Sequence, residues 1–357
     1  MRDKLAGGEV REVNELITYN LDIRQFAQDV IEACEGPELL RAMWKAIREV
    51  TVLDPTCGSG AFLFAALNIL EPLYEGCLQR MEVFIEEAED GRGDPGDRPG
   101  PRRYADFRQV LEDVARHPNR RYHALKSIIV NNLYGVDIME EAVEICKLRL
   151  FLKLVAQVES AEHIEPLPDI DFNIRAGNTL VGYASYEQVK RAITSGFDFD
   201  NALPRIEEKA GDVERLFAHF RRQQTELGGQ VTPADKADLR QRLGALEEEL
   251  NHYLAGEYGI EPSKRAIYER WLATHKPFHW FLEFYGIIKR GGFDVIIGNP
   301  PYVEVSKVRA EYNIMSLRLF LKLGPRWRAR STSSRCRILI SPSAPATPWW
   351  VMPATSR

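Results

Sequence analysis

Residues 50–74, VTVLDPTCGSGAFLFAALNILEPLY, carry the pattern that decides the fold. The β-branched run Val50-Thr51-Val52-Leu53-Asp54 predicts a short strand ending in Asp-Pro, a Gly-x-Gly turn follows, and an apolar helix is predicted over Ala61 to Tyr74. A strand, loop and helix in this order form one unit of an α/β sheet. The loop then lies at the carboxyl end of the strand, where doubly wound sheets hold their ligands. Gly58 and Gly60 remove side chains that would keep the backbone away from a ligand, and the start of the helix offers free N–H groups. The pattern GxxxxGK[ST] is absent and no lysine follows the glycines, which argues against a phosphate-cradling loop.

Downstream the rhythm repeats. A second strand is predicted over Ile128 to Asp137 (IIVNNLYGVD), followed by a helix from about Glu140 to Val158 with Val143, Cys146, Leu150 and Leu154 on one face. A third strand, Asp171 to Arg175, leads into Ala176-Gly177-Asn178-Thr179. The fourth, Phe293-Asp294-Val295-Ile296-Ile297, leads into Gly298-Asn299-Pro300-Pro301-Tyr302. Strands alternating with helices imply a parallel sheet covered on both faces. Upstream, residues 1–48 read as helical, with Leu16, Leu21, Ile23, Phe26, Val30 and Ile31 near helical spacing.

Between the third and fourth strands lies a long insertion. Thr232-Pro233 reads as an N-cap with proline in the first helical position, and Leu239, Leu243, Leu246, Leu250 and Leu254 mark a seam, predicting a helical hairpin. Glu247-Glu248-Glu249 reads as a solvated face, and Gly91 to Arg103 (GRGDPGDRPGPRR) as a solvated loop. Pro277 to Phe284 is densely aromatic, which beside a strand predicts core packing, with His279 and Trp280 supporting a site at most.

The 357 residues, 45% hydrophobic, suffice for at least one sizeable core and allow two domains. No run of eighteen apolar residues occurs and Met1 to Glu9 lack a secretory layout, so a cytoplasmic protein without membrane attachment is expected. Cys34, Cys57, Cys77, Cys146 and Cys336 form no CxxC pair, so neither a metal site nor a disulfide framework is expected. The net charge of −5 opposes autonomous nucleic-acid binding, although a basic cleft can coexist with acidic helices.

Three polar residues at strand ends carry chemistry. Asp137 ends the second strand where open α/β sites set an acid against ribose hydroxyls, a position that equally suits a helix cap. Asn178 follows the third strand and a glycine; its amide suits the adenine of a nucleotide cofactor, or a plain turn. The loop Asn299-Pro300-Pro301-Tyr302 is the most specific. An exocyclic amine such as that of adenine is a poor nucleophile because its lone pair is delocalised. Hydrogen bonds accepted by the Asn299 side-chain oxygen and the Pro300 carbonyl would move that nitrogen toward tetrahedral geometry, with prolines holding the acceptors in fixed directions. Tyr302 would stack on a base turned out of a duplex.

Taken together, Asp54 to Phe62, Tyr134 to Ile138, Gly177 to Leu180, Pro277 to Phe281 and Gly292 to Tyr302 resemble the N6-adenine-specific DNA methyltransferases of restriction-modification and phage-defence systems. The order of the motifs is similar to the gamma-class, type IIG-like enzymes, including those fused to an endonuclease. The resemblance implies a Rossmann-like S-adenosylmethionine-dependent methyltransferase sheet, partial, with a long helical insertion. It also implies S-adenosylmethionine held by Asp54, Thr56, Cys57, Gly58, Gly60, Asp137 and Asn178. Catalysis by Asn299, Pro300, Pro301 and Tyr302 on a base flipped from double-stranded DNA follows, with a restriction or specificity partner or a missing C-terminal segment.

The expected division is a helical segment 1–48, a cofactor-binding α/β part 49–190, a helical insertion 191–290, a catalytic strand and loop 291–312, and an aberrant or disordered tail 313–357. Two departures from the family pattern stand out. The further cofactor motif that precedes the first strand in family members is not evident in residues 1–48, and Arg326 to Arg357 is a run of Arg, Ser, Pro and Trp where more strands are expected. These predict a truncated chain whose fourth strand is a bare sheet edge. The same loop occurs in protein-glutamine and ribosomal RNA guanine-amine methyltransferases, and a non-catalytic remnant or DNA-binding fragment is the other alternative.

Overall fold

The computed structural model describes residues 7–8, 22–90, 104–160, 165–195, 202–225, 233–299 and 337–340. Its frame is a parallel sheet of β1 (Val52–Asp54), β2 (Leu133–Asp137), β3 (Ile174–Ala176), β4 (Val295–Gly298) and β5 (Arg337–Ile340), in the order β3-β2-β1-β4-β5. In the register, Leu53 lies beside both Tyr134 of β2 and Ile296 of β4. The chain moves outward from β1 to β2 and β3, then returns to the opposite side of β1 for β4. The strand order therefore reverses between β1 and β4, which is where an open α/β sheet binds its ligand. This is a Rossmann-like α/β fold.

Val52, Leu53 and Asp54 are all buried, as a central parallel strand requires. Polar side chains fix how the strands enter the sheet. Asn132 Nδ2 donates to Val50 O at 2.7 Å, and Asn173 Nδ2 donates to Val130 O at 2.9 Å and Leu133 O at 3.0 Å. On the other side of β1, Asp294 Oδ2 accepts from Thr51 N at 3.0 Å and from Thr51 Oγ1 at 3.1 Å, aligning β4 with β1.

The chain divides into two compact units. The first comprises Met1–Glu49, Ala65–Ile128 and Val155–Glu165. It contains α1 (Ile23–Glu32), α2 (Pro37–Glu49), α4 (Ala105–Ala115) and most of α3 (Ala61–Glu89) and α5 (Arg120–Asn131). Asp22 caps α1 by accepting from Gln25 N, and Trp44 meets Tyr74 edge-on at 5.3 Å. By length and hydropathy α3 could cross a membrane, but it buries Leu67, Tyr74, Leu78 and Met81 in this unit, as a core helix does.

The second unit, Val50–Phe64, Ile129–Leu154 and Pro166–Arg357, holds the sheet. With it go most of α6 (Glu140–Val155), α7 (Tyr186–Ser195), α8 (Ala202–Thr225), α9 (Pro233–Glu257), α10 (Arg265–His275) and the short α11 (Trp280–Glu283) and α12 (Tyr285–Lys289). Here α8 and α9 pack on each other, and the predicted seam from Leu239 to Leu254 is buried with Ile206, Val213 and Phe220 of α8. Each such leucine contributes about 1.5–3 kcal/mol. Phe278, Trp280 and Phe284 lie in a second core beneath the sheet strands with Leu53, Tyr134 and Ile296, so the aromatic segment is core, as expected.

Several boundaries differ from the sequence-based expectation. Ile128, Ile129 and Val130 belong to the last turn of α5 rather than to β2; a three-residue apolar run has no period that separates buried helix from buried strand. β1 begins at Val52. Asp171 to Asn173 form a turn before the shorter β3, and β4 is shifted to Val295–Gly298. α3 continues through Pro72 to Glu89, and α6 stops at Val155. Glu247 is half-buried rather than solvated, its carboxyl pushed up by burial. Arg337–Ile340, in the tail, pairs in parallel with β4, which is therefore not the sheet edge. The expected 49–190 segment is shared between the two units. Leu16, Leu21, Gly91 to Arg103 and Thr232 lie outside the described residues.

Candidate active site at the β1 and β4 ends

Asp54, the last residue of β1, is fully buried. Its Oδ1 accepts from Thr56 N at 3.1 Å, whereas Oδ2, like the nearby Thr56 Oγ1, is buried without a hydrogen-bond partner among the described residues. Burial pushes the Asp54 carboxyl up to about 7; the Thr56 N–H opposes this and the charge of Asp137 adds to it. Two buried polar oxygens without partners among the described residues are costly unless a ligand or water supplies the missing hydrogen bonds.

The glycine loop is held in an unusual shape. Gly58 and Gly60 have φ of +50° and +83°, in the left-handed region that favours glycine. Cys57 N donates to Val136 O at 2.9 Å and Gly60 N to Cys57 O at 2.7 Å. A Cβ on Gly60 would come within 2.5 Å of Cys146 Sγ. Cys57 is buried, and the neighbouring Cys146 thiol together with burial pushes its own thiol well above the ordinary range, so it is not a nucleophile.

Asp137, at the end of β2, reaches back to this loop. Its Oδ2 accepts from Gly58 N at 2.9 Å and its Oδ1 from Met139 N at 2.9 Å, leaving each oxygen a further lone pair. The Met139 contact makes a turn just ahead of α6, which begins at Glu140. Asp137 O also accepts from Gly177 N at 2.8 Å, which joins the third strand end to the second.

Asn178 is buried. Its Oδ1 accepts from Leu180 N at 3.1 Å and its backbone N donates to Lys276 O at 2.8 Å, beside a bridge to Pro277. The side-chain oxygen thus does make a turn. A Cβ at Gly177 would fall 2.6 Å from Phe278 Cδ2, so the aromatic segment packs directly under this loop. His279 is buried between two partners: Nδ1 accepts from Tyr183 N at 3.1 Å, and Nε2 faces Asn251 Oδ1 at 3.0 Å. Burial holds its pKa down to about 3, so it is a neutral structural link. Trp280 Nε1 donates to Thr179 O at 3.2 Å.

β4 delivers the other half. Gly298 lies so close to β1 that a Cβ there would stand 2.8 Å from Asp54 Oδ1. Asn299 follows it and is exposed; Pro300, Pro301 and Tyr302 lie outside the described residues. The glycine loop and Asn299 consequently leave the sheet at the same end, from adjacent strands. Sequence reading missed Arg149, whose Nη1 donates to Ser59 O at 2.7 Å; ninety residues separate the two, and no local pattern marks the pairing. It also missed Thr51 and Asp294.

A family model described as Eco57I restriction-modification methylase matches residues 131–322, and one described as MmeI, DNA-methyltransferase domain, matches residues 30–181. A relative from Methanocaldococcus jannaschii, named as a type II restriction enzyme and methyltransferase, is 28% identical over 338 residues, which cover 82% of this chain and 25% of the relative. The chain spans about a quarter of that relative's length. A match over more than half of its residues, on a Rossmann-like methyltransferase fold, places the chain in the Eco57I restriction-modification methylase family, whose members are DNA methyltransferases.

Proposed function

We propose that this chain transfers a methyl group from S-adenosylmethionine to the N6 amine of adenine at specific sites in double-stranded DNA, within a restriction-modification or related defence system of the cytoplasm. The observation that carries the proposal is the adjacency of β1 and β4, with Gly298 against Asp54, because donor and acceptor loops must open on one space.

The residues present fit the methyl donor. The left-handed glycines leave open backbone above the start of α3, and Asp54 Oδ2 and Thr56 Oγ1, without hydrogen-bond partners among the described residues, suit polar groups of a ligand. Asp137 can accept from both ribose hydroxyls while keeping its two backbone contacts. The Asn178 amide N–H2, which makes no hydrogen bond within the described residues, suits an adenine ring nitrogen. When bound, S-adenosylmethionine supplies an electrophilic methyl group on a sulfonium sulfur.

Asn299 Oδ1 and the Pro300 carbonyl accept from the DNA amine and orient its lone pair. With S-adenosylmethionine bound there, the amine held by Asn299 and Pro300 would take its methyl group and give up one proton to solvent. Tyr302 stacks on the displaced base; such stacking is worth about 1–3 kcal/mol and offsets part of the few kcal/mol of unstacking. In this reading, residues 49–190 bind the donor and 291–312 act on the base. The nuclease named in the longer relative would reside in a partner or a further segment.

The test is incubation of the chain with DNA and methyl-labelled S-adenosylmethionine, then digestion to nucleosides. Label in N6-methyladenine is expected. Label in guanine, or in protein glutamine, would overturn the substrate assignment, and no heat of donor binding in calorimetry would indicate a non-catalytic remnant.

A further inference from the structure

Ser59 stands between the two left-handed glycines of the loop and is exposed. The other contacts of this loop hold its flanks: Gly58 N on Asp137, Cys57 N on Val136 and Gly60 N on Cys57. Ser59 itself is held from α6. Arg149 Nη1 donates both to Ser59 O at 2.7 Å and to Ser59 Oγ at 3.0 Å. The guanidinium is fixed in turn, since its central carbon lies 4.7 Å from the centroid of the Phe64 ring. All four elements of this arrangement, the loop, Phe64, Arg149 and Asp137, belong to one compact unit.

We propose that Arg149 is a positioning residue for the donor loop, clamping the Ser59 peptide so that the Gly58-Ser59-Gly60 turn is shaped before the methyl donor arrives. This rests on the reading of that loop as the S-adenosylmethionine site. A turn with two glycines loses more backbone freedom on ordering than the same turn built of other residues, and a loop that orders only on binding charges that loss to the ligand. A clamp that acts before binding removes the loss from the ligand's side. Arginine suits the task where lysine does not, because its planar head can stack on Phe64 while one of its nitrogens serves both Ser59 oxygens.

A residue that merely supported the fold would change stability and turnover together, whereas a clamp changes donor affinity and loop motion. The experiment compares wild type with Arg149→Met, Arg149→Lys and Phe64→Leu. Amide exchange at Ser59 and Gly60 is measured without donor, S-adenosylmethionine affinity by calorimetry, and KM and kcat on DNA. Arg149→Met should speed exchange at the two amides and weaken donor affinity about tenfold, the size of one lost charge-assisted contact, with kcat at saturating donor within about twofold. Arg149→Lys should recover part of the affinity. Phe64→Leu, which keeps the guanidinium but frees it, should fall between and serves if Arg149→Met does not fold.

Unchanged loop exchange and affinity in Arg149→Met would overturn the clamp, as would a fall in kcat equal to the fall in kcat/KM. A wild-type chain that gives no heat with S-adenosylmethionine would sink the cofactor reading alone, and the exchange at Ser59 and Gly60 would then decide the clamp.

Discussion

Replacing Asp54 by Asn should stabilise the donor-free chain at alkaline pH while harming donor binding. Asn keeps the shape of the side chain and the hydrogen bond from Thr56 N, but cannot carry a charge. The wild-type carboxyl is raised from 3.8 to about 7, chiefly by burial. A group whose folded pKa lies above its unfolded value lends stability that is complete at low pH and disappears as the pH climbs through the folded pKa. Here the window runs from about 4 to about 7. A shift of this width, at ~1.36 kcal/mol per pH unit, amounts to about 4 kcal/mol.

The assay is denaturant unfolding of both proteins across that window, read as the difference between variant and wild type. Glu283, which burial likewise raises to about 7, and His279 and His123, both held down to about 3, titrate alike in the two proteins and cancel in the subtraction. The difference should move in favour of the variant by about 4 kcal/mol as the pH rises. A flat difference curve would show that Asp54 is ionised in the folded chain at acid pH, and the account of a buried carboxyl waiting for a donor would fall.

Asn299→Ala should abolish methyl transfer to DNA while leaving the calorimetric affinity for S-adenosylmethionine intact; retained turnover would refute the role given to its amide oxygen. Gly60→Ala forces a side chain onto a φ of +83° and 2.5 Å from Cys146 Sγ, and should cost about 1–3 kcal/mol, measured by thermal unfolding. Adding Cys146→Ala should relieve the crowding but not the backbone strain, so full recovery would contradict the argument. His279→Leu strands the Tyr183 N–H and the Asn251 oxygen in the core, and a loss of about 2–4 kcal/mol is expected in urea. An unchanged midpoint would mean that these contacts are replaced.

The parts of this fold that the sequence announces are those whose signal is local. Asp54-Pro55 before Gly58 and Gly60 marks a strand end, a turn and a helix start within ten residues, and the seam from Leu239 to Leu254 repeats at helical spacing along one buried face. The start of β2 is illegible because Ile128, Ile129 and Val130 are buried all round, which erases any period. The pairing of β5 with β4 is illegible for another reason: Arg337–Ile340 is four residues long inside a run of Arg, Ser and Pro, and three apolar residues are too few to mark a strand without the neighbour it pairs with. Within the site, the acids and glycines announce themselves by residue type. Thr51 with Asp294, and Ser59 with Arg149, do not, since each is an ordinary polar residue whose partner is supplied by the fold.

The pairing of Thr51 with Asp294 spans 243 residues of chain. During synthesis at about 5–20 residues per second, β1 emerges from the ribosome roughly 12–50 seconds before β4 exists to cover its second side. Until β2 emerges Val52 and Leu53 have no strand neighbour, and from then until β4 they have one on a single flank; closing so long a loop is slow even once the partner is made. The glycine loop and Asn299 thus cannot come together until β4 has been made. On the proposed reading, translation stalled ahead of residue 295 would leave one flank of β1 an unpaired edge prone to association, with no Asn299 beside the glycine loop.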